Sequence, residues 1–137
     1  METRTFLATL GHLHEMLHWI RGQAEKTGFG PSDLYKIELA AEEALVNVIH
    51  HSYEGRSGEV FISVSASAGS IKVTISDSGI PFNPLAQKPR VDHDASLEER
   101  QMGGLGLLFI RKCLDEVSYQ RKNDQNILTL IKKHHSR

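Results

Sequence analysis

The segment Glu38-Leu39-Ala40-Ala41-Glu42-Glu43-Ala44-Leu45-Val46-Asn47-Val48-Ile49-His50-His51-Ser52-Tyr53 sets apolar side chains at helical spacing, with polar ones between them. Extended back to Ser32 or Asp33, either of which can cap a helix start, the apolar stripe is Leu34, Ile37, Ala41, Ala44, Leu45 and Val48. The spacing predicts a helix from that cap to about His51. On it, Glu43 and Asn47 stand one turn apart, about 40° around the axis, so both can address one site. Glu42 points about 140° away from Asn47, which leaves Glu43 as the carboxylate able to work with it. A carboxylate can accept a proton or orient a nucleophile, and an amide oxygen is a hard ligand suited to Mg²⁺. Polar pairs at this spacing are also common on the outer face of ordinary amphipathic helices.

Outward from this helix, the chain changes character on both sides. Toward the N-terminus, Thr27-Gly28-Phe29-Gly30-Pro31 is punctuation. Before it, a helical stripe of Leu10, Leu13, Leu17, Ile20 and Ala24 starts at Thr9, and Thr3 to Phe6 reads as a short strand. Toward the C-terminus, Val60, Ile62 and Val64 alternate with polar or outward residues, and Ile71, Val73 and Ile75 do the same after Ala68-Gly69-Ser70. That is a hairpin with one buried face. It ends in Asp77-Ser78-Gly79-Ile80-Pro81-Phe82. A carboxylate at a strand end can accept a hydrogen bond from an exocyclic amine, and Gly79 lets backbone approach a flat ring; the same residues also make an ordinary turn.

The stretch from Pro81 to Met102 holds three of the four prolines and is too long for an ordinary connection. Gly103-Gly104-Leu105-Gly106 then opens a third helix expected to run to about Asp115. Glycines at a helix start expose N–H groups that can hold phosphate oxygens, although no Gly-Lys-Ser/Thr follows to make a P-loop. Val117 to Arg121 and Ile127 to Ile131 predict a closing hairpin around Lys122-Asn123-Asp124-Gln125. Helices first, then strands, a helix and strands again give an α+β fold: a mixed, mostly antiparallel sheet with helices on one face.

Composition narrows the function classes. The 137 residues are 39% apolar and 24% charged, which suits a globular chain rather than a disordered one. Sixteen basic residues against 17 acidic leave a net charge of −1, so no basic excess favours direct nucleic-acid binding. The one cysteine, Cys113, excludes an internal disulfide and suits a reducing compartment. No apolar run approaches the roughly 18 residues of a membrane span, and no secretory signal pattern opens the chain. A cytoplasmic location is the expectation. A separate signal, His14-Glu15-Met16-Leu17-His18, matches the H-E-x-x-H pattern of zinc hydrolases, with Glu38 and Glu42 downstream as possible third ligands. The alternative for it is a pair of histidines on the flank of an amphipathic helix.

Taken in order, the Glu-x-x-x-Asn helix, the hairpin ending in Asp-x-Gly, the irregular segment and the Gly-x-Gly helix start resemble the GHKL ATPase superfamily. Within it, the chain most resembles the anti-sigma factor serine/threonine kinases. The carrying segments are Glu38 to Tyr53, Asp77 to Leu85, and Glu98-Glu99-Arg100-Gln101-Met102-Gly103-Gly104-Leu105-Gly106-Leu107. The resemblance implies a two-layer, Bergerat-type α/β sandwich over residues 1–137, with a lid at about 84–102. It implies ATP and Mg²⁺ as ligands. Asn47 would hold Mg²⁺, and Glu43 would activate the acceptor hydroxyl. Asp77 would accept the adenine amine, with Gly79 and Phe82 beside the base. Gly103, Gly104, Leu105 and Gly106 would meet the phosphates, and Arg100 would bring a positive charge to the γ-phosphate. It further implies a STAS-type anti-anti-sigma protein as acceptor, a sigma factor as the other partner, and a homodimer to which the first helix could contribute. Met102 stands where related kinases often carry Arg, so a catalytically weak ATP-binding interaction module is the alternative.

Overall fold

The computed structural model describes residues 1–54, 56–67, 69–86 and 112–134. Its frame is a five-stranded sheet built from β1 (Glu2–Leu7), β2 (Glu59–Ser67), β3 (Ser70–Asp77), β4 (Glu116–Lys122) and β5 (Gln125–Lys133). The strand order is β1-β2-β3-β5-β4, and every described pairing is antiparallel. The expected α+β architecture is therefore present, with antiparallel pairing throughout the described sheet. Alternation decides its faces: Val60, Ile62 and Val64 on β2, Ile71, Val73 and Ile75 on β3, and Leu128 and Leu130 on β5 are all buried.

Two helices cover that face. In α1 (Leu13–Glu25) the buried residues are Met16, Ile20 and Ala24. The expected stripe is rotated: Leu13 and Leu17 are only half-buried, and Leu10 lies in a single 3₁₀ turn with 55% exposure. Met16 takes the central place because it shares a face with Ile20 and Ala24 at spacings of four. In α2 (Pro31–Asn47) the N-cap is Gly30, not Ser32 or Asp33. Pro31 occupies the first helical position, where its missing N–H costs nothing. The α2 stripe is Ile37, Ala40, Ala41, Ala44 and Leu45. The small side chains let the helix lie close against the sheet.

The two helices are strapped by Arg21, whose guanidinium bonds Glu38 at 2.8 Å. A deeper tie joins α2 to β5: the Lys132 ammonium, nearly buried, lies 3.7 Å from Asp33. Of the expected third helix, residues 103–111 lie outside the described residues; Lys112 and Cys113 are helical, and Cys113 is buried in the core. No described helix is long and apolar enough to cross a membrane.

Candidate functional site

Asn47 is the last residue of α2, and the chain then widens into a π turn, Val48–Ser52. Such turns are rare and concentrate at functional sites. Here the turn delivers Ser52 inward, where its carbonyl accepts the Ile80 N–H at 2.9 Å. That bond ties the end of the helix to the turn that follows β3. Tyr53 adds a clamp: its hydroxyl donates to the Glu59 carbonyl at 2.6 Å and accepts from the Ser78 N–H at 2.9 Å. Gly58 makes room for its ring, since a Cβ there would lie 2.2 Å from Tyr53 Cε1.

Asp77 ends β3 at 1% exposure. Its Oδ1 accepts from the Gly79 N–H and from Asn126 Nδ2, both at 2.9 Å. Gly79 has a reason in the fold itself. A Cβ there would lie 2.2 Å from the Ser52 carbonyl oxygen, so the close approach that demands glycine is to protein backbone. The Gly79 carbonyl accepts from Arg121 Nη1 at 2.9 Å. Phe82 donates its N–H to Asn126 Oδ1 at 3.1 Å, and its ring lies flat against the His51 ring, 4.6 Å between centroids and 12° between planes.

These residues meet at one cavity. Asn47, Asp77 and Phe82 line it together with Ser52, Tyr119 and Asn126, over an apolar floor that includes Ile75 and Leu128. Its volume is about 20 Å³, far below that of a purine. An open cleft of about 530 Å³ adjoins it, lined by His50, His51, Glu54, Ile80 and Phe82.

Glu43, one turn before Asn47, is half-buried while Glu42 is exposed, as the helical geometry requires. Burial, followed by the nearby Glu42 charge, raises the Glu43 carboxyl above its ordinary value. Its conjugate base is correspondingly stronger. Burial, and then repulsion from His50, lowers the His51 imidazole below its ordinary value and favours the neutral ring stacked on Phe82. The Asn47 amide makes no hydrogen bond among the described residues, so its oxygen is unengaged at the cavity wall. An amide oxygen is a hard ligand of the kind Mg²⁺ takes.

Comparison with known proteins decides the family. The sequence matches the histidine kinase-like ATPase domain over residues 6–132. The chain belongs to the histidine kinase-like ATPase family. Among family relatives, a serine-protein kinase RsbW from Bacillus mycoides is 28% identical over 82% of this chain and 71% of its own. A serine/threonine-protein kinase BtrW from Bordetella bronchiseptica is 28% identical over 85% of this chain and 82% of its own. In three dimensions the chain resembles one in the crystal structure of the SiaB–SiaC complex from Pseudomonas aeruginosa. The TM-score is 0.55 at 17% identity, with 94% of this chain and 88% of that one covered.

For this ATPase domain, Asn47, Asp77, Gly79 and Phe82 stand in one neighbourhood, and Glu43 is one helical turn away. Arg100, Gly103, Gly104, Leu105 and Gly106, with residues 87–102 of the expected lid, lie outside the described residues. Within them, Pro84–Ala86 form one 3₁₀ turn. Sequence reasoning missed Ser52, Tyr53, Tyr119, Arg121 and Asn126. Asn126 had a readable signal: it is a polar residue at an inward position of the alternation Asn126, Leu128, Leu130. The H-E-x-x-H residues do not form a site. His14, Glu15 and His18 are all exposed, and the two imidazoles stack on each other at 6.5 Å. Glu38 is taken by Arg21, and among the described residues no three His, Cys, Asp or Glu side chains converge to hold a metal.

Proposed function

We propose that this ATPase domain is an ATP-dependent serine/threonine protein kinase that acts as an anti-sigma factor in a partner switch. The observation that carries the reading is the cavity where Asp77 and the unengaged Asn47 amide meet, in a chain whose family relatives are named serine-protein or serine/threonine-protein kinases. Asp77 receives the exocyclic amine of adenine, beside Gly79 and Phe82. Asn47 holds Mg²⁺, which offsets phosphate charge when bound. Glu43 takes the proton of the acceptor hydroxyl, and its raised carboxyl makes it a better base than an exposed glutamate. Gly103, Gly104, Leu105 and Gly106 receive the phosphates at a helix start, and Arg100 adds charge there. Such a division suits phosphoryl transfer, which needs positioning and charge neutralisation more than covalent chemistry.

The acceptor is a Ser or Thr of a STAS-type anti-anti-sigma protein, and the alternative partner is a sigma factor. Phosphorylating the first frees the kinase, as a homodimer, to hold the second. The test is a calorimetric titration of Mg-ATP into wild type, Asp77→Asn and Asn47→Ala. The expected result is saturable binding that is weakened in Asp77→Asn and loses its magnesium dependence in Asn47→Ala. Absence of binding to folded wild type overturns the reading. Transfer of label from ATP to the STAS protein separates a kinase from a binding module: Glu43→Gln should keep nucleotide and abolish transfer.

A further inference from the structure

Asn126 sits on β5 directly opposite Asp77 on β3, at 4% exposure. Every hydrogen-bonding position of its side-chain amide is used. Nδ2 donates to Asp77 Oδ1 at 2.9 Å and to the Ile80 carbonyl at 2.7 Å, with Ser52 Oγ further off at 3.4 Å. Oδ1 accepts from the Phe82 N–H and from the Tyr119 hydroxyl. An amide so engaged cannot turn over without losing all of these bonds, because its donor and acceptor ends have different partners. It also has nothing left to offer a ligand. Any effect it has on a nucleotide passes through Asp77 and through the Ile80–Phe82 segment.

The contact constrains Asp77. Its Oδ1 is occupied by Asn126 and by the Gly79 N–H, while Oδ2 takes no hydrogen bond among the described residues. The carboxylate plane is thereby fixed, with one oxygen committed to the protein and one left over. The same amide pins Ile80 and Phe82, which line the cleft beside the cavity, and Phe82 also lines the cavity itself.

We propose that Asn126 is a positioning residue for base recognition. It holds Asp77 Oδ1 so that Oδ2 is the acceptor presented to the exocyclic amine of the base, and so it sets discrimination in favour of a 6-aminopurine. The proposal rests on the nucleotide-binding reading above and adds to it the residue that aims the acceptor. A purely architectural Asn126 would matter equally for any nucleotide. An aiming Asn126 matters far more when the amine is there to be read, the loss common to both nucleotides being only that of its hold on Ile80 and Phe82.

The experiment compares ATP with purine riboside triphosphate, which carries hydrogen in place of the 6-amine, by calorimetry on wild type and Asn126→Ala. Wild type should prefer ATP by about 10-fold or more, the worth of a hydrogen bond to a charged acceptor. Asn126→Ala should bind ATP about 10-fold more weakly and leave the amine-free nucleotide within about threefold, collapsing the preference. Equal loss with both nucleotides, or loss with neither, overturns the proposal. Equal affinity of wild type for the two nucleotides also overturns it, because no amine is then being read. Failure of wild type to bind ATP is a different result and removes the kinase reading itself. If Asn126→Ala does not fold, Tyr119→Phe frees one acceptor position of the amide; a loss of about threefold confined to ATP supports the proposal, and an unselective loss or no loss overturns it.

Discussion

Gly79 combines a bond any residue but proline could make with a close approach that only glycine allows. Its N–H bonds Asp77 while its α-carbon presses on the Ser52 carbonyl, where a Cβ would be only 2.2 Å from oxygen. The obstacle is backbone, which cannot swing away as a side-chain tip could. Gly79→Ala should therefore cost about 2–3 kcal/mol, the scale of overpacking a close contact, read as a lower midpoint in urea unfolding. Glu43 tests a second residue-level claim. Its carboxyl is raised in the folded chain, chiefly by burial, so the folded state binds the proton more tightly than the unfolded chain does. Its ionised form then costs stability at neutral pH, and that cost fades as pH falls through the raised folded value toward the ordinary one. Glu43→Gln should accordingly raise the thermal midpoint at pH 7 and lose that advantage at pH 4, measured by calorimetric scans across the range. A midpoint difference independent of pH would show that the ionisation is not responsible.

At the scale of elements, the local chemistry of each turn decides how well its strands or helices are placed. Asn123 and Asp124 join β4 to β5 with φ of 53° and 60°, the left-handed pair that a two-residue hairpin with right-twisted strands requires. Asparagine tolerates that region well; glycine suits the second position better. Asp124→Gly should add roughly 0.5 kcal/mol of stability, checked by equilibrium denaturation, without affecting the cavity, which Asp124 does not line. The hairpins were legible because period-two alternation and turn residues are both local signals. The start of α2 was less so. Ser32 and Asp33 are good caps in isolation, but Pro31 already fits the first helical position, and Gly30 provides the extended residue before it. The π turn that follows Asn47 has no comparable local signature: it depends on Ser52 meeting Ile80 across the fold.

The whole molecule joins two layers, and one ion pair with a nearly buried lysine ties them. Lys132, on the covered face of β5, reaches Asp33 near the start of α2. Asp33→Asn leaves that ammonium without its partner and should cost about 1–2 kcal/mol in urea unfolding. The cost falls below that of a wholly buried pair because Asp33 remains a third exposed. If the same variant were neutral, the tie would be reaching water in solution. The layered arrangement also explains why the small cavity forms where it does. The end of α2 and the ends of β3 and β5 converge there, so Asn47, Asp77 and Asn126 come together from separate elements.

By itself the sequence determined the α+β layering, both hairpins, the two helices, and the placement of Glu43 and Asn47 one turn apart on one of them. Each of these follows from spacing along a few turns or strands, where the geometry is fixed by the backbone period. It also marked Asp77 and Gly79 as a special strand end. The tertiary structure alone decided that Gly79 is held against Ser52, that Phe82 stacks on His51, and that Asn126 spends its whole amide on Asp77, Ile80, Phe82 and Tyr119. Those contacts join residues up to 49 positions apart. No local period encodes such separations; they arise when the sheet register places β5 beside β3 and the helix end above both.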